Sequence, residues 1–366
     1  MSVSGRKDVG GADAAIPRVW MRESAMNLPS DILDRYRKRV GSTIRRKYRL
    51  DALLGVGGMG AVYAATHRNG SRLALKILHP ELACMNEVRE RFLREGYVAN
   101  RIAHPGVVRI LDDDDDDETQ TVFLVMELLE GETMEARWER SGRRLPVAQV
   151  LACADRVLDV LAAAHEQGVV HRDVKPENIF ATTQEEMKVL DLGIARLLDG
   201  TGATQSGQVL GTPGFMAPEQ ANGRLRQIDA RTDLWAVGAV IFTLVTGEEV
   251  HDGKTGAVQM IYAATRPARA LESVAPWVPR DVATMVNKAL AYERDARFPS
   301  ALAMQEALRA TRAYDVLSAT VGVARSVQPP SLAPPTERVP MSATKTIVQG
   351  SVPGDGEGGA GSGRRD

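Results

Sequence analysis

Up to about residue 130 the chain alternates short apolar runs with turn residues. LALKIL (73–78) and TVFLVMEL (121–128) are of strand length, and together with their neighbours they predict an antiparallel sheet. One segment there, Glu87 to Ile102, carries helical spacing instead. Beyond residue 130 helices dominate. Residues 147–165 set Val150, Leu151, Ala154, Val157, Leu158, Leu161 and Ala162 three and four apart, the stripe of a core-facing helix that ends near Gly168. Leu234 to Val245 is apolar all round but shorter than the ~20 residues a bilayer needs, so it predicts a buried helix and no membrane span. The pattern thus predicts an α+β chain with a small β-rich lobe before a larger helical one.

Composition trims both ends of the 366 residues. Residues 1–43 are weakly periodic, with SVSG and GGADAA stretches, and predict a flexible extension. From about 315 to 366 the chain turns Pro-rich, then Gly-rich (SVQPPSLAPPTERVP, GSVPGDGEGGAGSGRRD), which predicts a disordered tail. Residues 44–314 remain as one domain, with lobes at about 48–129 and 130–312. Lysine plus arginine number 46 against 47 acidic residues, a balance that argues against a chain built to grip nucleic acid or anionic lipid. Cys84 and Cys153 have neither each other nor histidine at ligand spacing, which excludes a disulfide scaffold and a zinc site. With no continuous apolar segment at the N-terminus, the expected location is the cytoplasm. The charge is uneven: RYRKRVGSTIRRKYR (35–49) is basic, and Asp112–Asp117 is an unbroken acidic run. No calcium-loop spacing fits that run, so a solvated hairpin tip is expected; the basic stretch could touch acidic partners or that tip, but such a stretch is more often only a solvated face.

Candidate chemistry begins at Gly55-Val56-Gly57-Gly58-Met59-Gly60, a G-x-G-x-x-G pattern that lets backbone N–H groups approach a phosphate. Alone it fits a dinucleotide site, a kinase loop or a plain turn. A dinucleotide site needs a helix next, whereas AVYAATHRNGSRLALKIL reads as strand, Asn69-Gly70 turn, strand. No G-K-[ST] follows, which excludes a P-loop. Alternation along the second strand puts Lys76 on the face of Ala74. A second pattern follows the 147–165 helix: His171-Arg172-Asp173-Val174-Lys175-Pro176-Glu177-Asn178, then Asp191-Leu192-Gly193 thirteen residues later, then GTPGFMAPE ending at Glu219.

The order of these motifs over about Tyr48 to Ala310 resembles the protein kinase family, in particular the bacterial eukaryotic-like serine/threonine kinases. The resemblance implies a two-lobed kinase fold, ATP and Mg2+ (or Mn2+ in its place) as cofactors, and protein Ser/Thr hydroxyls as acceptors. It implies that Gly55, Gly57 and Gly60, with Val56, Gly58, Met59 and Ala61, cover the phosphates, and that Leu54, Val62 and Ala74 enclose adenine. Met126 takes the gatekeeper position, and the Glu127 and Leu129 backbones are available to adenine. Lys76 is assigned to the α and β phosphates and Asp173 to the substrate hydroxyl, while Asn178 and Asp191 take the metal. Lys175 and Thr212 mark the serine/threonine class. For the carboxylate that aims Lys76, the family pattern picks Glu95, with Glu90 the competitor as a solvated residue pairing with Arg94. Gly96 beside it suggests a mobile helix. Leu192 stands where phenylalanine is commoner, which implies altered switching with the chemistry intact.

Thr201, Thr204 and Ser206 lie in a glycine-rich activation segment, where autophosphorylation, through self-association, would offer phosphate to Arg172. Asp233 resembles the aspartate that anchors the catalytic loop, and Glu219 with Arg297 a buried ion pair. Two alternatives stay open: a pseudokinase scaffold, and a small-molecule phosphotransferase of related fold.

Overall fold

In the computed structural model, which describes residues 30–116, 121–192 and 213–314, the Asn69-Gly70 turn closes a β-hairpin. Asn69 Oδ1 accepts from Ser71 N at 2.9 Å, the local bond that makes asparagine a turn former. The side chains of residues 30–32, Arg91 and Glu95 fall outside the description.

The hairpin is the centre of a six-stranded antiparallel sheet. Its strands are β1 (Thr43–Ile44), β2 (Tyr48–Val56), β3 (Gly60–His67), β4 (Arg72–Leu78), β5 (Ile110–Asp116) and β6 (Thr121–Met126), in the order β1-β2-β3-β4-β6-β5. Leu50, Tyr63, Leu75, Ile77 and Phe123 bury one face. The helix expected at 87–102 is α3 (Asn86–Arg101), and Val88 and Phe92 pack it onto Val122 and Leu124 of β6. A Cβ on Gly96 would stand 3.0 Å from Leu124 Cδ2. Gly96 therefore allows a close approach of helix to sheet.

Two expectations are corrected. The extension assigned to 1–43 is folded from Ser30 onward: α1 (Ser30–Arg37) and β1 sit on the sheet, with Tyr36 and Ile44 buried in its core. Two anchors in a densely basic stretch give no periodicity to read. The acidic run is likewise no hairpin tip: Asp112–Asp116 form most of edge strand β5, paired with β6. Arg45 pairs with Asp114 at 2.9 Å, its backbone N–H donates to Asp116 at 3.1 Å, and Arg89 pairs with Asp115. Exposed edges tolerate such charge, and arginines from flanking elements neutralise it. The basic stretch, expected mainly as a solvated face, thus contacts the acidic run through Arg45.

The second lobe is helical, as expected. It comprises α4 (Met134–Arg140), α5 (Val147–Glu166), α6 (Pro218–Ala221), α7 (Ala230–Thr246), α8 (Gly256–Thr265), α9 (Leu271–Val274), α10 (Arg280–Ala289) and α11 (Ala301–Arg309). The α5 stripe is buried apart from Ala162, which is half-buried, and α7 is buried on every side from Thr232 to Thr246. A short helix, α2 (Pro80–Ala83), links β4 to α3, and in the second lobe a small sheet of β7 (Gly131–Thr133), β8 (Ile179–Thr182) and β9 (Met187–Val189) has segments 171–178 and 190–192 running on from its strand ends. The expected tail at 315–366 lies outside the described residues.

Candidate active site

Strand alternation brings Lys76 inward. Its ammonium is nearly buried at 6% exposure and lies 2.7 Å from Asp191 Oδ1, joining β4 of the first lobe to the segment after β9. Asp191 adopts a left-handed backbone (φ 57°), and so does Arg172 (φ 67°). For residues with a Cβ such a conformation is strained and is held by its surroundings, a frequent mark of functional sites.

The surroundings of Arg172 are explicit. Asp233, fully buried at the start of α7, accepts from His171 N at 2.9 Å and from Arg172 N at 2.8 Å, and His165 Nε2 lies 2.7 Å from the same carboxylate. Gln220 donates to Arg172 O at 2.8 Å. His171 Nδ1 accepts from Asp173 N at 3.2 Å, so its Nε2 carries the proton and donates to Leu190 O at 2.9 Å. One imidazole thereby ties 171–173 to the residue before Asp191. Within the loop, Lys175 Nζ lies 3.0 Å from Asp173 Oδ2, and Asn178 Nδ2 donates to Asp173 O at 2.8 Å and Oδ2 at 3.0 Å.

Those bonds settle which end of the Asn178 amide is engaged. With Nδ2 held by Asp173, its oxygen is the atom left for a ligand, and Asp191 supplies a carboxylate. Hard oxygen donors of this kind, few in number and completed by phosphate and water, fit Mg2+ or Mn2+.

A cleft between the lobes is lined above by Val62, Ala74 and Lys76, behind by Met126, Glu127 and Leu129, and below by Leu190 and Asp191. Leu54, Val62 and Ala74 share one apolar cluster with Met126, as an adenine enclosure requires. The cleft continues behind Met126 to Phe92, Gly96 and Leu124. Gly57 N donates to Gly60 O at 2.8 Å, closing the glycine turn, and a Cβ on Gly60 would overlap the Ile77 carbonyl. Val56 and Ala61 face each other across β2 and β3, and Gly55 pairs with Val62.

Sequence reasoning missed several participants. Glu127 N donates to Arg109 O at 3.1 Å, so of its backbone groups the carbonyl is the one left to face the cleft's ligand. Its side chain accepts from Arg109 N at 2.9 Å and Lys188 Nζ at 3.0 Å, clamping the interlobe strand to β9. Nothing in KVL signalled that Lys188 pairs across 61 residues. His165, Gln220 and His79 were missed as well, since each acts through a partner distant in sequence.

The buried ion pair is present: Arg297 donates twice to Glu219, each bond 2.8 Å, and Thr232 donates to the same carboxylate at 2.7 Å. Burial alone would raise the Glu219 pKa, but Arg297 and Thr232 outweigh it and hold the carboxyl below its ordinary range. Glu90 is exposed, as the competing reading held, whereas the Glu95 side chain lies outside the described residues. So do Thr201, Thr204, Ser206 and Thr212.

A protein kinase domain family model matches residues 48–309. The chain is 38% identical over 301 residues to serine/threonine-protein kinase Pkn1 of Myxococcus xanthus, covering 81% of this chain and 42% of that protein. It is 32% identical over 323 residues to serine/threonine-protein kinase PknA of Mycobacterium tuberculosis, covering 86% and 71%. Against the two Myxococcus relatives Pkn1 and pkn2 it spans 42% and 38% of their length. The crystal structure of the M. tuberculosis PknI kinase domain superposes with a TM-score of 0.58 at 28% identity, covering 74% of this chain and 97% of that one. With Lys76, the 171–178 loop and Asp191 brought together in family order across one interlobe cleft, the chain belongs to the protein kinase family and resembles its bacterial serine/threonine members.

Proposed function

We propose that this chain transfers the γ-phosphoryl group of ATP to serine or threonine hydroxyls of proteins. The observation that carries the reading is the meeting of Lys76 with Asp191 at 2.7 Å, beside a loop in which Asp173 contacts both Lys175 and Asn178. Phosphoryl transfer needs little covalent chemistry from protein; it needs charge held in place. Asp173 orients the acceptor hydroxyl and takes its proton, and Lys175, already 3.0 Å from that carboxylate, neutralises charge on the transferred group. Lys76 holds the α and β phosphates. Asn178 and Asp191 would hold the metal, which when bound neutralises charge on the phosphates. The Glu127 carbonyl and Leu129 serve adenine, and Leu54, Val62 and Ala74 exclude water from its faces.

Lys76, Asp173, Asn178 and Asp191 are all present with mutual contacts, which favours activity over a pseudokinase scaffold. Phosphorylation of Thr204 or Ser206, and less so Thr201, paired with Arg172, is part of the same reading. It predicts phosphate on 201–206 in mass spectra of active protein.

The central test is transfer from radiolabelled ATP to the chain itself and to a generic protein, wild type against Asp173→Asn. The expected outcome is labelling of serine and threonine, reduced at least ~100-fold in the variant. Equal labelling sinks the assignment of Asp173, and phosphate on tyrosine alone sinks the serine/threonine class.

A further inference from the structure

Helix α1 lies before the matched kinase region, yet it reaches the glycine turn through two side chains. The Tyr36 hydroxyl lies 2.6 Å from His79 Nδ1, and His79 Nε2 lies 2.7 Å from the Gly57 carbonyl oxygen. A carbonyl only accepts, so Nε2 carries the proton and Nδ1 accepts from the tyrosine. Burial, the largest influence, lowers the His79 pKa, which keeps this neutral form in place near pH 7. His79 grips the turn a second time, its backbone N–H donating to Met59 O at 2.9 Å. At the tip, a Cβ on Gly58 would meet nothing within 4 Å.

Tyr36 is itself fixed. It is 8% exposed, its carbonyl accepts from the Tyr63 hydroxyl at 3.0 Å, and neighbouring Arg35 pairs with Glu81 of α2 at 3.0 Å.

We propose that His79 is a positioning residue for the phosphate-covering turn, and that the N-terminal helix sets its ring through Tyr36. The proposal rests on the kinase reading above. A peptide unit is planar and trans, so holding a carbonyl fixes the direction of the next residue's N–H. Holding Gly57 O aims the Gly58 N–H away from His79, and holding Met59 O fixes the Gly60 N–H. A glycine turn otherwise samples many conformations, few of which aim those donors at a phosphate.

The test uses full-length protein carrying Tyr36→Phe, which removes only the hydroxyl, His79→Phe, which removes both side-chain bonds, and His79→Gln, which keeps a donor at the Nε2 position. Amide exchange over 55–60 in the ligand-free protein reads the tether, and paired binding of ATP and adenosine reads its purpose. The expected result for both Phe variants is faster exchange confined to that turn and binding of ATP weakened about three- to tenfold. Adenosine, which lacks phosphates, should bind unchanged, and His79→Gln should recover most of the loss. Unchanged exchange over 55–60, or equal weakening of ATP and adenosine, overturns the proposal. A wild type that binds neither ligand overturns the kinase reading instead, while the exchange data still decide whether His79 holds the turn.

Discussion

Glu135, at the start of α4, is a carboxyl the fold keeps protonated. Burial, then the neighbouring Glu177, pushes its pKa up from 4.5 to about 8. Around it lie Trp138 and Thr243, whose Nε1 and Oγ1 are buried with no hydrogen-bond partner. A folded-state pKa above the unfolded value means the native state binds the extra proton. This contribution to stability is therefore full below pH 4.5 and is lost as pH rises toward about 8. Glu135→Gln should then gain on wild type progressively across that window and hold its advantage above it. Urea denaturation at acid, neutral and alkaline pH measures the gain, and parallel curves for the two proteins would clear Glu135. The residues proposed to act chemically were legible because motif order names them, but Glu135 sits in an unremarkable helix start. Burial first, and then the approach of Glu177, 42 positions away, give it an unusual proton.

At the scale of elements, Gly96 shows how a local rule is overridden. Within a helix glycine costs about 1 kcal/mol relative to alanine, so local propensity suggests a weak point. The structure places it where α3 touches Leu124 of β6, and a Cβ there would stand 3.0 Å from Leu124 Cδ2, so that side chain would have to give way. Gly96→Val should lower both thermal stability and ATP affinity by pushing α3 off the sheet, and adding Leu124→Ala should recover part of each. A double variant no better than the single would mean that the contact is unimportant. The acidic run shows the same override. Five adjacent aspartates are poor strand formers, and β5 exists because β6 supplies its hydrogen bonds and arginines from two elements balance its charge. Helix α1 was invisible for a related reason, since two aromatic or branched anchors decide its docking.

Across the whole molecule, the lobes are built from contacts that ignore sequence distance. Glu219 and Arg297 stand 78 residues apart and are buried together, with Arg297 also donating to Ala291 O at 2.9 Å and Arg231 O at 3.1 Å. Arg297→Ala leaves a buried carboxylate without its cation and should cost about 3–5 kcal/mol in denaturant unfolding. Replacing both partners with leucine should cost much less, because no charge is left unpaired; an equally large loss would show that packing, not charge, sets the effect.

By itself the sequence determined the lobe order, the hairpin, the two long helices and the choice of the proposed reactive groups. Each of these depends on local periodicity or on motif spacing along one strand of chain. The tertiary structure alone decided that an N-terminal helix holds the glycine turn through His79, that an acidic run becomes an edge strand, and that Lys188 clamps Glu127. Those outcomes depend on which distant surfaces meet, and on charges and hydrogen bonds satisfied only after they have met.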